Sequence, residues 1–333
     1  MSLEGPSLDR EQINRRQSLF RQERLDQFWR FIAARQRIWH RRFVDKTPPP
    51  WTTDPILGTQ RFTNVYRELD PGTQYAVEEI LERNAARSDR IFNIMLYRLI
   101  GRKETHSRIG FQRVKTFDGQ LLAHVLKCIR LEGSHPFTGA YMVSGYKSLG
   151  SSDKAENVAR LFAILQGRFE GFMRRLESSS NAAEAYGTIR AEIGFGNFLA
   201  YQVLVDLLYP LRREGGVGLL LFGLDQWAAP GPGALRGIRI LSQSPQGREL
   251  EIMRWLRTNQ RAEFDRLGIR FDYLTDASGR RVEVSLANIQ NCLCEFYKYV
   301  KISEGKGRAR RSFTPQLEKG PDFLSRRRPA LPQ

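Results

Sequence analysis

The chain has 333 residues, 41% hydrophobic and 11% aromatic, enough for one large or two modest domains with a buried core. Its 53 Lys and Arg against 36 Asp and Glu give a net charge of +17, which says nothing about fold but favours a polyanionic partner. With three Cys, four His, no CxxC pair, no HExxH and no apolar run of membrane-span or secretory length, the sequence excludes the common zinc patterns and a spanning helix. A reducing, cytoplasmic setting is expected from the low, odd cysteine count.

Residues 8–45 read as one or two Arg-rich helices, with Phe20, Leu25, Phe28, Trp29, Phe31, Ile32 and Ile38 at helical spacing. "DKTPPPWTTDP" (45–55) breaks that pattern. In "RFTNVYRELDPGTQYAVEEILERN", Asp70–Pro71 marks a helix start. Ile91, Phe92, Met95, Leu96 and Leu99 place a buried helix over 88–101, ended by Gly101. Residues 119–132 repeat that pattern, and 132–152 read as a long loop with aromatics. One long amphipathic helix is expected over 153–178 and a shorter one over 181–192. A glycine turn at Gly194 and Gly196 then leads into an apolar helix. Beyond Pro210 come a Gly-rich segment, the turn "APGPGALRG", a charged helix over 247–267, a hairpin over 270–285 and a last helix over 286–302. The tail is basic and rich in Pro and Gly.

Several of these stretches can carry chemistry. A helix, a Gly-x-Gly turn and a second helix present free backbone N–H groups at the tip, which bind phosphate without reading sequence. Gly194, Gly196 and Asn197 are placed there, although the same turn serves as a plain connector. Asp225, in "GLDQW", is either a helix cap or an acid that stabilises positive charge on a sugar. Asp206 lies inside an apolar helix and reads as buried and paired. Asn64, Tyr66 and Arg67 fit a base pocket, in which Asn reads the base edge, Tyr stacks and Arg holds a phosphate; they fit a helix staple with an Arg67–Asp70 pair as well. Arg98 and Gln202 interrupt apolar helices and point either to buried pairs or to a polar cleft. Glu295 and Lys298 stand three apart, as a surface ion pair or with Lys298 as a Schiff-base nucleophile. Gly231, Gly233 and Arg236 form either a helix-start turn or a pyrophosphate site, and Arg308 and Arg310 a backbone clamp.

"IGFGNFLAYQ" followed by the acid in "LDQW" resembles a divergent helix-hairpin-helix DNA glycosylase. A second resemblance covers most of residues 60–312. "RFTNVYRELDPGTQY", "FNIMLYRLIGR", "FTGAYMV", "GFGNFLAYQVLVDLLY", "GPGALRGI" and "NIQNCLCEFYKYVKISEGKGRARR" are similar to the helical family of phage thymine hypermodification. That family comprises the α-glutamyl/putrescinyl thymine pyrophosphorylases and the helical domain of 5-hydroxymethyluracil DNA kinases. The phosphate-loop pattern GxxxxGK[ST] of its fused members does not occur here.

The resemblance implies a mainly α, helix-hairpin-helix DNA glycosylase-like fold of two helical lobes with one small β-hairpin. Residues 1–46 form an Arg-rich helical N-terminal extension, 47–302 the glycosylase-like domain and 303–333 a basic flexible tail. The leading expectation is a monomeric DNA glycosylase, a hydrolase that flips and excises hypermodified bases from foreign phage double-stranded DNA. In it Asp225 and Lys298 are catalytic, Asn64, Tyr66, Arg67, Arg98, Gln202 and Glu295 line the base pocket, and no metal or cofactor is needed. The alternative is a hypermodification transferase acting on pyrophosphorylated hydroxymethyluracil in DNA, with "GPGA" and Arg236 as its pyrophosphate site. A non-catalytic DNA-binding module is the third reading.

Overall fold

A computed structural model describes residues 10–276 and 278–307. It is mainly helical with one small antiparallel sheet, as expected, and its contacts divide the chain into two compact units. The first runs to Asp70 and resumes at Leu224; the second is Pro71–Gly223.

In chain order the first unit opens with α1 (Arg10–Leu19), α2 (Gln22–Phe43) and α3 (Pro55–Thr59). The second holds α4 (Pro71–Tyr75), α5 (Arg87–Ile100), α6 (Lys103–Ile109), α7 (Gly119–Leu131), α8 (Lys154–Gly167), α9 (Phe169–Glu177), α10 (Ala182–Arg190) and α11 (Asn197–Leu208). The first is completed by α12 (Pro232–Leu241), α13 (Glu249–Arg266), β1 (Leu274–Thr275), β2 (Arg281–Val282) and α14 (Leu286–Ser303). No helix among the described residues is long and apolar enough to cross a membrane.

Short side chains set many of these boundaries. Asp54, Asp118, Asp153, Asn181 and Ser285 each accept a backbone N–H in the first turn of the helix they precede. Gly101 ends α5 in the left-handed conformation (φ 66°). One expectation needs correction, and one element carries a local irregularity. The helix over 153–178 is two helices, broken where Gly167 meets Arg168 (φ −120°, ψ 9°). Beyond Tyr75, α4 widens into a π-helical turn over Ala76–Leu81.

The core of the first unit is aromatic. Phe28 packs edge-on against Phe296 at 5.4 Å, Trp29 against Phe264 at 5.0 Å, and Phe264 stacks on Phe271 at 4.4 Å. The N-terminal α2 therefore shares its core with α13 and α14. In the second unit Phe92 of α5 is enclosed by Phe117, Phe162 and Phe169, at 5.1 to 5.3 Å.

Candidate functional site

In the first unit, residues 61–70 are laid along α14 by side chains at both ends. The Asn64 backbone N–H donates to Asp70 Oδ1 (2.9 Å), and its amide donates to the Leu69 carbonyl (2.9 Å). Tyr66 is buried, its hydroxyl on the Val282 carbonyl at 2.7 Å. Burial pushes its phenol well up. The Arg67 N–H donates to Asn288 Oδ1 (3.0 Å), while the Asn288 amide reaches both Glu68 oxygens (3.3 and 2.9 Å). Arg35 donates to the Thr63 carbonyl. Lys298 donates to the Arg61 carbonyl, lies 4.3 Å over the Phe62 ring, and stands 3.5 Å from Glu295. Arg67, Glu295 and Lys298 thus lie along α14, while Asn64 is tied back to Leu69 and Asp70 and Tyr66 to β2, so the named groups of Asn64 and Tyr66 are engaged by the protein itself. Burial raises the carboxyls of Glu68 and Asp70, the latter to about 6.

Asp225 holds the same unit together elsewhere. Its two oxygens receive Arg257 Nε (2.9 Å) and Nη2 (3.0 Å), and Oδ1 also accepts the N–H of Leu286 at the start of α14 (2.7 Å). Arg257 continues to Glu283 at 2.6 Å. "GPGALRG" has a packing explanation. A Cβ on Gly233 would collide with Cys294 Sγ, and one on Gly237 with the Leu293 carbonyl oxygen. The glycines let α12 lie directly on α14, and Gly231 is the residue before α12. Arg236 is exposed, its guanidinium 5.3 Å from the Tyr297 ring centroid.

Arg98, Gln202 and the glycine turn belong to the second unit. Arg98 forms a two-pronged pair with fully buried Asp206 (2.5 and 2.6 Å), so Asp206 is buried and paired as expected. The two glycines of the turn differ. Gly194 has φ +88°, and a Cβ there would meet Leu161 Cδ1. Gly196 has φ −66° with open space where a Cβ would stand. It precedes α11 with no side-chain cap, so the first N–H groups of that helix lie bare beside exposed Ile193, Asn197 and Phe198. Tyr186 and Arg190 reach Asn197 Oδ1 from α10 at 3.2 and 3.4 Å. Arg308 and Arg310 lie outside the described residues. No cluster able to hold a metal ion occurs among the described residues.

Asn288 and Gln260 are organising residues that sequence reasoning missed. Gln260 bonds both the N–H (2.9 Å) and the C=O (3.1 Å) of Val284. An amide inside a helical apolar pattern was the signal available for both.

Three comparisons bear on identity. The sequence profile of the family described as "5-hmdU DNA kinase, helical domain" matches residues 22–308. A protein named 5-hmdU DNA kinase, from Bacillus phage SP10, is 28% identical over 287 residues, which is 82% of this chain and 44% of that protein. The chain therefore spans less than half the length of this curated relative. No solved structure matches. These findings correct the expectation of a base-excising hydrolase: family and relative are named for a kinase, which is a transferase, and the roles expected for Asp225 and Lys298 in glycosidic cleavage fall with that activity. The chain belongs to the family of the 5-hmdU DNA kinase helical domain.

Proposed function

We propose that the chain works on DNA carrying 5-hydroxymethyluracil-type bases, as a transferase of base hypermodification. The family match across 22–308 carries this reading, since it takes in both units and the glycine turn. In the reaction an amine or amino-acid nitrogen attacks the methylene of the pyrophosphorylated base. A C–N bond forms, the C–O bond to pyrophosphate breaks, and the nitrogen loses a proton as pyrophosphate leaves. The α10–α11 turn grips the DNA backbone. Its support is the uncapped start of α11, where bare N–H groups and the helix dipole favour a phosphate and Gly196 adds no bulk. Arg236, exposed on α12, supplies positive charge for a phosphate or pyrophosphate. The positive net charge supports a polyanionic substrate in general.

The test is to give the protein duplex DNA with one pyrophosphorylated 5-hydroxymethyluracil, and the unesterified base as the unreactive control, together with putrescine or glutamate, and to weigh the released nucleosides. Exchange of the base's pyrophosphate for the amine, read as the aminated nucleoside at a lower mass than the pyrophosphate ester, and tighter binding than to a thymine duplex are expected. Equal affinity for both duplexes with no mass change overturns the reading. Recognition of the modified base without transfer is the other outcome that the same test reads. Preferential binding with every nucleoside mass unchanged supports it over the first.

A further inference from the structure

The first unit carries an open groove of about 460 Å³ away from the residues considered so far, between the start of α2, the end of α12 and the last turns of α14. Arg21, Arg24, Lys301 and Lys306 line it, with Glu304 as its one acid. Tyr297 provides an aromatic wall, and Ile240 and Val300 an aliphatic floor. That volume lies in the usual range for a small-molecule site and suits one nucleotide unit.

Its parts are held in place. Arg21 is pinned by its backbone N–H on the Leu241 carbonyl (2.7 Å), and its guanidinium donates to the carbonyls of Arg239 and Ile240 (2.7 and 3.0 Å). Glu304 is shared by Arg24 (3.0 Å) and Lys306 (2.8 Å). This leaves Lys301 and Arg236 with no carboxylate partner among the described residues, and Arg236 flanks the Tyr297 ring.

We propose that this groove seats one nucleotide of single-stranded DNA, with its base stacked on Tyr297 and its phosphate between Lys301 and Arg236. An aromatic face beside cations that lack carboxylate partners is the combination by which single strands are held without sequence reading. The proposal goes beyond the preceding reading and shares with it Arg236 and the premise that the polyanion is DNA; Tyr297 and Lys301 have no part in that reading, so the Tyr297→Ala arm tests the groove alone.

The probe is a fluorescent oligo-dT, titrated by anisotropy over a salt series, with inorganic phosphate, dTMP and an oligo-U of equal length as competitors. Tyr297→Ala should weaken binding at least fivefold, on the scale of one lost base–aromatic stack, while Tyr297→Phe keeps the affinity. Replacing Lys301 and Arg236 together by Ala should flatten the salt slope by about 0.7, for one phosphate neutralised on a single strand. An oligomer with 5-iododeoxyuridine should photocrosslink to Tyr297. Unchanged affinity in Tyr297→Ala, equal loss in Tyr297→Phe, crosslinks that map elsewhere, or dTMP or oligo-U competing as well as oligo-dT would each overturn the proposal. Circular dichroism of the variants separates lost folding from lost binding. Failure here leaves modified-base discrimination on duplex DNA untouched, so the two readings fail separately.

Discussion

Gly194 and Gly196 stand two apart and answer to different constraints. Gly194 is bound by its left-handed backbone and by Leu161. Gly194→Ala should therefore cost about 1 kcal/mol or more, read as a lower Tm. Gly196 has an ordinary φ and free space. Gly196→Ser should leave Tm unchanged or slightly raised, because the serine caps α11, yet weaken duplex DNA binding by occupying an N–H that a phosphate would use. If binding is unaffected, the turn is only a connector. Two further residues set opposing pH responses. Asp70 titrates near 6, raised by burial, so stability from its protonated form is full below about pH 4 and is lost as pH rises through 6. His106, with Tyr75 Oη 2.9 Å from its Nδ1, is lowered to about 4 by burial and by Arg83. Its contribution is full above pH 6.5 and is lost as pH falls through 4, a span on the order of 3 kcal/mol. Urea midpoints between pH 4 and 7 should show Asp70→Asn gaining on the wild type as pH rises, and His106→Gln gaining as pH falls.

At the level of elements, the α12–α14 pair depends on two glycines spaced one helical turn apart. Gly237→Ala drives a methyl into the Leu293 carbonyl, a rigid backbone atom, and should cost about 1–3 kcal/mol. Gly233→Ala meets the Cys294 side chain instead, which burial raises to a pKa of about 11. Paired with Cys294→Ala, which removes the obstructing sulfur, Gly233→Ala should cost less than it does alone; simple additivity in chemical denaturation would count against direct packing. Most helices were legible because an apolar period coincided with a capping Asp, Asn or Ser. The turn at 231–237 stays open in the sequence between a plain helix start and an anion site because glycine has two uses, close approach of a ligand and close approach of another helix, and one sequence does not distinguish them. The Arg98–Asp206 pair was half legible, since an acid within apolar neighbours announces a partner without naming it. Asn64 and Tyr66 looked like pocket residues because polar groups in a turn look alike whether they face a ligand or their own backbone.

Over the whole molecule, the division at Asp70 and Leu224 left little trace in the sequence. The proline run at 48–50 is a stronger compositional break, yet α2 on one side of it and α14 far beyond it share the core of a single unit. Many arginines are engaged in ion pairs, such as those of Arg98 and Arg257, so the count of 53 Lys and Arg alone overstates how many cations are free to meet DNA. What remains available is localised, at Lys301 and Arg236 among others, and that pattern was invisible until the helices were placed.

The split of the first unit has a consequence for synthesis. The ribosome delivers Phe28, Trp29 and Phe31 of α2 long before their partners Phe264, Phe296 and Tyr299. At about 5–20 residues per second, this greasy face waits on the order of ten seconds or more, while residues 71–223 emerge and can collapse first. Stalled nascent chains ending before Leu286 should leave α2 open to protease and bound by trigger-type chaperones, and chains carrying α14 clear of the exit tunnel should protect it. Equal protection in both would mean that α2 finds another, temporary cover.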